Sequence, residues 1–211
     1  MADPGSAERS SDHQRPSNIG QRLRAQREQR GVSLRELADA IGVSPSLISQ
    51  IEREKVNPSV STLFALVTEL GLRMGDVFDD HAAPGARRTA AAGPVATPET
   101  RAVMNLAHGV RWERLVPGTD PLVEFVYVVY DVGSMSCPED SLFRHGGREY
   151  GYVISGRLGV RIGFDEYQLG PGASVSFDSS APHRLWNLGH EPVHGIWCVV
   201  GRQNDPRVAS A

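Results

Sequence analysis

The chain has 211 residues, 40% of them hydrophobic, and a formal net charge of −3; that is room for two small domains, and so mild a balance selects no class of partner by itself. Cys137 and Cys198 stand far apart with no C-x-x-C pair, which argues against a structural zinc site or a disulfide framework and fits a reduced cytosol. No apolar run is long enough to span a bilayer, and the first residues lack the apolar core of a signal peptide, so a cytoplasmic protein without membrane contact is expected.

Residues 1–16 are polar and rich in Ser, Pro and charge, a composition that predicts disorder. From Ser17 to about Asp80 the apolar spacing is helical. Within it, Ser33 followed by Glu36 forms a capping box, and Val32 with Leu37 a hydrophobic staple. Gly42 falls where a helix needs a left-handed terminator. Ser44 then caps a second helix that Pro45 begins. Two helices therefore meet at a tight turn, with Leu37, Ile41, Val43, Ile48 and Ile51 facing inward and Ala38 at their close approach.

That leaves Pro45, Ser46, Ser49, Gln50 and Arg53 on the outer face of the second helix. Short and hydrogen-bonding side chains suit a helix lying in a major groove, where Gln50 has the geometry to pair bidentately with adenine. Arg22, Arg24, Arg27 and Arg35 supply positive charge nearby, as phosphate contacts require.

The stretch from Ile19 to Phe78 resembles the five-helix domain of XRE (lambda-repressor/Cro-like) helix-turn-helix regulators. The resemblance implies a homodimer reading a palindromic operator in double-stranded DNA. The contacts would be Arg22, Arg35, Ser44, Pro45, Ser46, Ser49, Gln50 and Arg53, with Lys55 and Asn57 of the following loop on phosphates.

Residues 81–100 carry Ala, Pro and Gly without a periodic apolar stripe and read as a linker. After Thr100, short β-branched or alternating runs separated by Gly and Pro predict an all-β sandwich or barrel over residues 101–200, followed by a loose tail from 201 to 211. The expected fold class is thus α + β in two domains. In "VEFVYVVY" both strand faces are apolar; one is expected to fill the barrel and the other to bury against a second subunit.

His145 is expected to end one strand and Glu149 to begin the next, with Gly146 and Gly147 between them. His183, Leu185 and Asn187 share one strand parity. This half resembles a cupin domain, a double-stranded β-helix barrel. His145, Glu149 and Gly156 match the first cupin motif, while Phe143 stands where its first His belongs; Gly172, His183 and Asn187 match the second.

Three readings of the barrel stay open at this level. His145, Glu149 and His183 hold a divalent metal (zinc, iron, nickel or manganese) that helps capture a small-molecule effector. Alternatively, the same residues bind the effector without metal, in a pocket that includes Phe143, Tyr127, Tyr152 and Asn187, with Trp112, Trp186 and Trp197 as further candidates. Or the triad is a catalytic iron site, as in the hydroxypropylphosphonate epoxidase, whose architecture is similar. The intact helix-turn-helix favours a DNA-binding transcriptional regulator with a sensing cupin over an enzyme.

Overall fold

The capping chemistry of the front half forms as its side chains require. In the computed structural model, which describes residues 19–78, 93–120 and 122–201, five helices come first: α1 (Ile19–Gln29), α2 (Leu34–Ile41), α3 (Pro45–Glu52), α4 (Val60–Glu69) and α5 (Met74–Phe78). Ser33 Oγ accepts the Glu36 amide at 3.2 Å, and the Glu36 carboxylate accepts the Ser33 amide at 2.8 Å. Gly42 ends α2 at φ 72°, a left-handed conformation that costs glycine nothing. Ser44 Oγ caps α3 on the Leu47 amide. Leu37, Ala38, Ile48 and Ile51 are buried as expected, whereas Ile41 and Val43 are half-buried against the same core.

Arg27 departs from its expected role. Its guanidinium is buried and forked onto Glu52, with Nε–Oε1 at 2.6 Å and Nη2–Oε2 at 2.8 Å, and its Nη1 donates to the Val32 carbonyl. The arginine therefore ties α1 to the end of α3 instead of reaching a phosphate. Glu52 holds its guanidinium pKa above the ordinary value despite burial. The same pairing turns the acid at the end of α3 away from the exposed face.

The second half is entirely antiparallel. Its strands are β1 (Val103–Leu106), β2 (Val110–Arg114), β3 (Val123–Tyr130), β4 (Arg148–Ser155), β5 (Leu158–Ile162), β6 (Asp165–Leu169), β7 (Ser174–Asp178), β8 (His183–Asn187) and β9 (Val193–Val200). They form a six-stranded sheet in the order β1-β2-β3-β9-β4-β7 and a three-stranded sheet in the order β6-β5-β8. The inner faces of these sheets enclose Val126, Val128, Val153, Val160 and Leu185. His145 does not end a strand: it lies in the segment before β4, held beside the isolated bridge between Phe143 and His183. The expected disorder of residues 1–16, most of the linker and the tail from 202 onward lie outside the described residues.

The two halves touch directly. In α4, Leu63, Leu66 and Val67 are buried with the helical core, while Val60 and Phe64, four residues apart on one face, meet the barrel. Phe64 packs against Trp112, Phe143 and His145. Backbone bonds cross the junction as well: the Ser61 amide donates to the Ser136 carbonyl at 3.2 Å, and the Ala107 amide donates to the Pro58 carbonyl at 2.9 Å. Further along, the Arg114 guanidinium lies over the Phe78 ring of α5.

Breaking one side of the Arg27–Glu52 pair strands a buried charge. Glu52→Ala should therefore lose about 3–5 kcal/mol of stability in urea unfolding. A loss below about 1 kcal/mol, the worth of an exposed pair, would contradict the structural role assigned to it.

Candidate DNA-reading face and metal centre

On the helical side, α3 presents the expected residues outward. Pro45, Ser46 and Arg53 are exposed, and Ser49 and Gln50 half-exposed. Gln50 Nε2 donates to Ser46 Oγ at 3.3 Å, and Arg53 Nε to the Ser49 carbonyl at 3.0 Å. These weak local bonds hold the side chains along the helix surface without burying them. Lys55 and Asn57 are exposed in the loop that follows, and Arg35 is exposed on α2. Ser44 is already committed to its cap. Arg22 is half-buried with Nη1 on the Asp76 carbonyl, and Arg24 pairs with Glu28 on the surface of α1.

On the barrel side, strand parity sorts the candidates. Along β4, Glu149, Gly151 and Val153 point inward while Tyr150, Tyr152 and Ile154 point out. Tyr152 is 47% exposed and lines no interior site. Tyr127 is likewise on the outer face of β3, its hydroxyl paired with His194 Nδ1 at 2.7 Å. That bond also gives His194 a partner the sequence did not suggest. The outer face of β3 is partly covered within the single chain, since Val129 is buried there. Asn187 is buried as expected, but its amide serves the backbone, donating to the Tyr130, Asp131 and Glu191 carbonyls. Trp186 packs under the Arg184 guanidinium and against Gly159. Of the expected pocket residues, Phe143, Trp112 and Trp197 line the interior cavity.

His145, Glu149 and His183 converge as expected, with ligand atoms all within 4.8 Å of one another. Their side chains are 2%, 5% and 0% exposed. Glu149 Oε1 lies 2.8 Å from His145 Nε2 and 3.1 Å from His183 Nε2, yet neither approach has the alignment of a hydrogen bond, and all three atoms are otherwise unpartnered. The opposite ring nitrogens have partners. His145 Nδ1 faces the Gly146 carbonyl and His183 Nδ1 the Ala181 carbonyl, each at 2.9 Å. A carbonyl only accepts, so each Nδ1 carries a proton, which in a neutral ring leaves Nε2 a free lone pair near the carboxylate.

Two such nitrogens and a carboxylate oxygen gathered within 4.8 Å suit a cation. Backbone carbonyls on the outer nitrogens are the usual support for metal-binding imidazoles. Glu149 is fixed in turn by the Trp197 indole, which donates to its Oε2 at 2.6 Å. Trp197 reaches it by lying across Gly151, where any Cβ would stand 2.1 Å from the indole ring. Burial pushes the Glu149 carboxyl toward its neutral form, and only donation or positive charge at the Nε2 side of the two imidazoles lowers its pKa below the usual carboxylate range. Phe143 stands against His183, ring centroids 4.3 Å apart, where the motif would have a further ligand.

Beside the triad, a cavity of roughly 30 Å³ is lined by Phe64, Trp112, Tyr130, Phe143, Glu149 and Trp197 among others. That admits an ion with its waters, whereas a pocket for a drug-sized molecule runs to about 300–1,000 Å³. Val60 and Phe64, contributed by α4, were not among the expected site residues.

Comparison with known proteins bears on both halves. A helix-turn-helix family model matches residues 23–77 and a cupin-domain model residues 126–199. SutR of Escherichia coli K12, an HTH-type transcriptional regulator, is 30% identical over 172 residues, covering 82% of this chain and 88% of SutR. PuuR of the same strain, also an HTH-type transcriptional regulator, is 28% identical over 177 residues, covering 80% of this chain and 86% of PuuR. The crystal structure of an HTH_3 family transcriptional regulator from Vibrio cholerae shares the fold, with a TM-score of 0.62 and 21% identity over 89% of this chain and 97% of that one. The chain belongs to the HTH-type transcriptional regulators that carry a cupin domain behind the DNA-binding unit.

Proposed function

We propose that this regulator reads a specific, palindromic operator through α3, as a pair of chains, and that metal occupancy of its barrel adjusts the binding. The observation that carries the reading is the exposed row of Pro45, Ser46, Ser49, Gln50 and Arg53 on a helix capped at its start and anchored at its end by Arg27–Glu52. Gln50 would pair with a base, Ser46 and Ser49 would meet bases or phosphates, and Arg35, Arg53, Lys55 and Asn57 would fix the register on the backbone. Arg22, half-buried against α5, would contribute charge at the edge of the contact. Two such helices about one turn of DNA apart, ~34 Å, match palindromic half-sites. A second copy has the exposed Tyr150, Tyr152 and Ile154 of β4 to pack on.

Within the barrel, His145, Glu149 and His183 would hold one divalent metal, with zinc, iron, nickel and manganese all compatible with nitrogen and oxygen donors. A bound metal supplies a charged, Lewis-acidic point for an oxygen or nitrogen of a small effector. The protein's own part is to orient the donors through Gly146, Ala181 and Trp197 and to exclude bulk water with Phe143. The alternative of an iron oxygenase is not favoured, because SutR and PuuR are regulators over lengths that include both units.

Selection from a random duplex library would supply the operator. Gln50→Ala should then weaken binding to it by about 1–3 kcal/mol while leaving non-specific affinity in place. An unchanged footprint would reject α3 as the reading helix. The double substitution His145→Ala with His183→Ala should abolish stoichiometric zinc uptake in calorimetry while the barrel stays folded; retained tight uptake would move the metal site elsewhere.

A further inference from the structure

The triad and the DNA-binding unit are not separated by a linker's length: they are in van der Waals contact. The Phe64 ring lies on the His145 imidazole with centroids 4.1 Å apart and planes 8° from parallel. Phe64 also meets Phe143 at 5.7 Å and the edge of Trp112 at 5.9 Å. Together with Val60 it forms one wall of the cavity beside Glu149. Trp112, Phe143 and His145 all belong to the barrel, although the Phe64 side chain is carried by a helix of the DNA-binding unit.

We infer that the sensor site is composite: α4 supplies part of its wall, and Phe64 reports metal occupancy of His145 directly to the DNA-binding unit. This rests on the reading that the triad takes a metal. The imidazole that Phe64 covers has its Nε2 2.8 Å from Glu149 Oε1. A divalent ion held by that nitrogen would fix the ring plane and draw electron density out of the imidazole. A ring made electron-poor in this way attracts a stacked aromatic face more strongly than a free one. Metal therefore tightens the docking of α4 on the barrel.

The signal has a short route onward. Leu63, Leu66 and Val67 of α4 share a core with Leu37, Ala38, Ile48 and Ile51, and α2 packs on both α4 and α3, so a shift of α4 would reach α3 through α2. An occupant much larger than a few waters would have to displace part of the cavity lining, to which Val60 and Phe64 belong.

Two amides mark the docked state. Ser61 lies in the first turn of α4, where a helix offers no internal acceptor, and its amide bonds the barrel carbonyl of Ser136; the Ala107 amide bonds the Pro58 carbonyl. Residue-resolved hydrogen exchange on the full chain reads both, and Co²⁺ serves as the metal because its visible absorption reports binding independently. Without metal, Phe64→Ala should speed exchange at Ser61 and Ala107 about tenfold while the Leu66 and Val67 amides keep wild-type protection. Phe64→Leu, which fills the space without a flat face, should hold near wild type. With Co²⁺ bound, the wild-type chain should gain protection several-fold at both amides, and Phe64→Leu should bind the ion with no gain.

Cobalt absorption with unchanged exchange in the wild type overturns the inference, as does a Phe64→Leu chain that gains protection equally. A wild-type chain with no cobalt band refutes the metal reading and the metal report with it. The metal-free comparison then still judges the wall, which is refuted if Phe64→Ala leaves both amides slow.

Discussion

Helix α4 has to bury two faces at once, and most of this molecule's organisation follows from that constraint. Its segment VSTLFALVTE is apolar around much of its circumference, and a helix of that kind is stable only when covered on more than one side. Leu63, Leu66 and Val67 close the core beneath α2 and α3, while Val60 and Phe64 close the mouth of the barrel. Neither half is complete without it. Separating the units would expose Phe64 and Val60 on one side and Trp112, Phe143 and the imidazole of His145 on the other. Burial of an aromatic side chain contributes about 1.5–3 kcal/mol, enough to hold the units together yet small enough to be shifted by what the barrel contains.

The triad meets that constraint with a second one. His145 and His183 hold their protons on the outer nitrogens because Gly146 and Ala181 offer only carbonyls. The inner nitrogens then face a carboxylate that Trp197 has fixed from behind. A buried constellation of this kind is unfavourable until something positive enters it, since buried polar atoms without partners cost free energy. The same feature makes it responsive: a site already satisfied would have little to gain from an ion.

Much of this was legible in the sequence because it rests on local chemistry. Ser33, Glu36, Gly42, Ser44 and Pro45 act through their immediate neighbours, so spacing alone fixed the turn and the outward set on α3. Once the cupin resemblance put His183 inside, strand parity put Leu185 and Asn187 inside with it. The same rule, applied to β4 with Glu149 inward, would have placed Tyr152 outside the barrel, where it stands. Tyr127 escaped because both faces of β3 are apolar and composition could not tell inside from outside. Arg27 looked like one more surface arginine; its burial depends on Glu52, 25 positions away in sequence, and no local pattern announces that pairing. Phe64 was hidden for a related reason. The apolarity of α4 stands in its sequence, but what covers its second face is a matter of how two units dock.

A regulator of this design reads DNA with one face of α3 and reads its chemical surroundings through the wall that α4 shares with the barrel. The most direct measure of that claim is the affinity of the chain for Zn²⁺ determined twice, free in solution and saturated with operator duplex. Coupling between sites is reciprocal, so the account requires the two affinities to differ, by about 5–150-fold for a coupling of 1–3 kcal/mol. Equal affinities, with both metal and operator demonstrably bound, would mean that the barrel and the reading helix share a chain and a contact but no function.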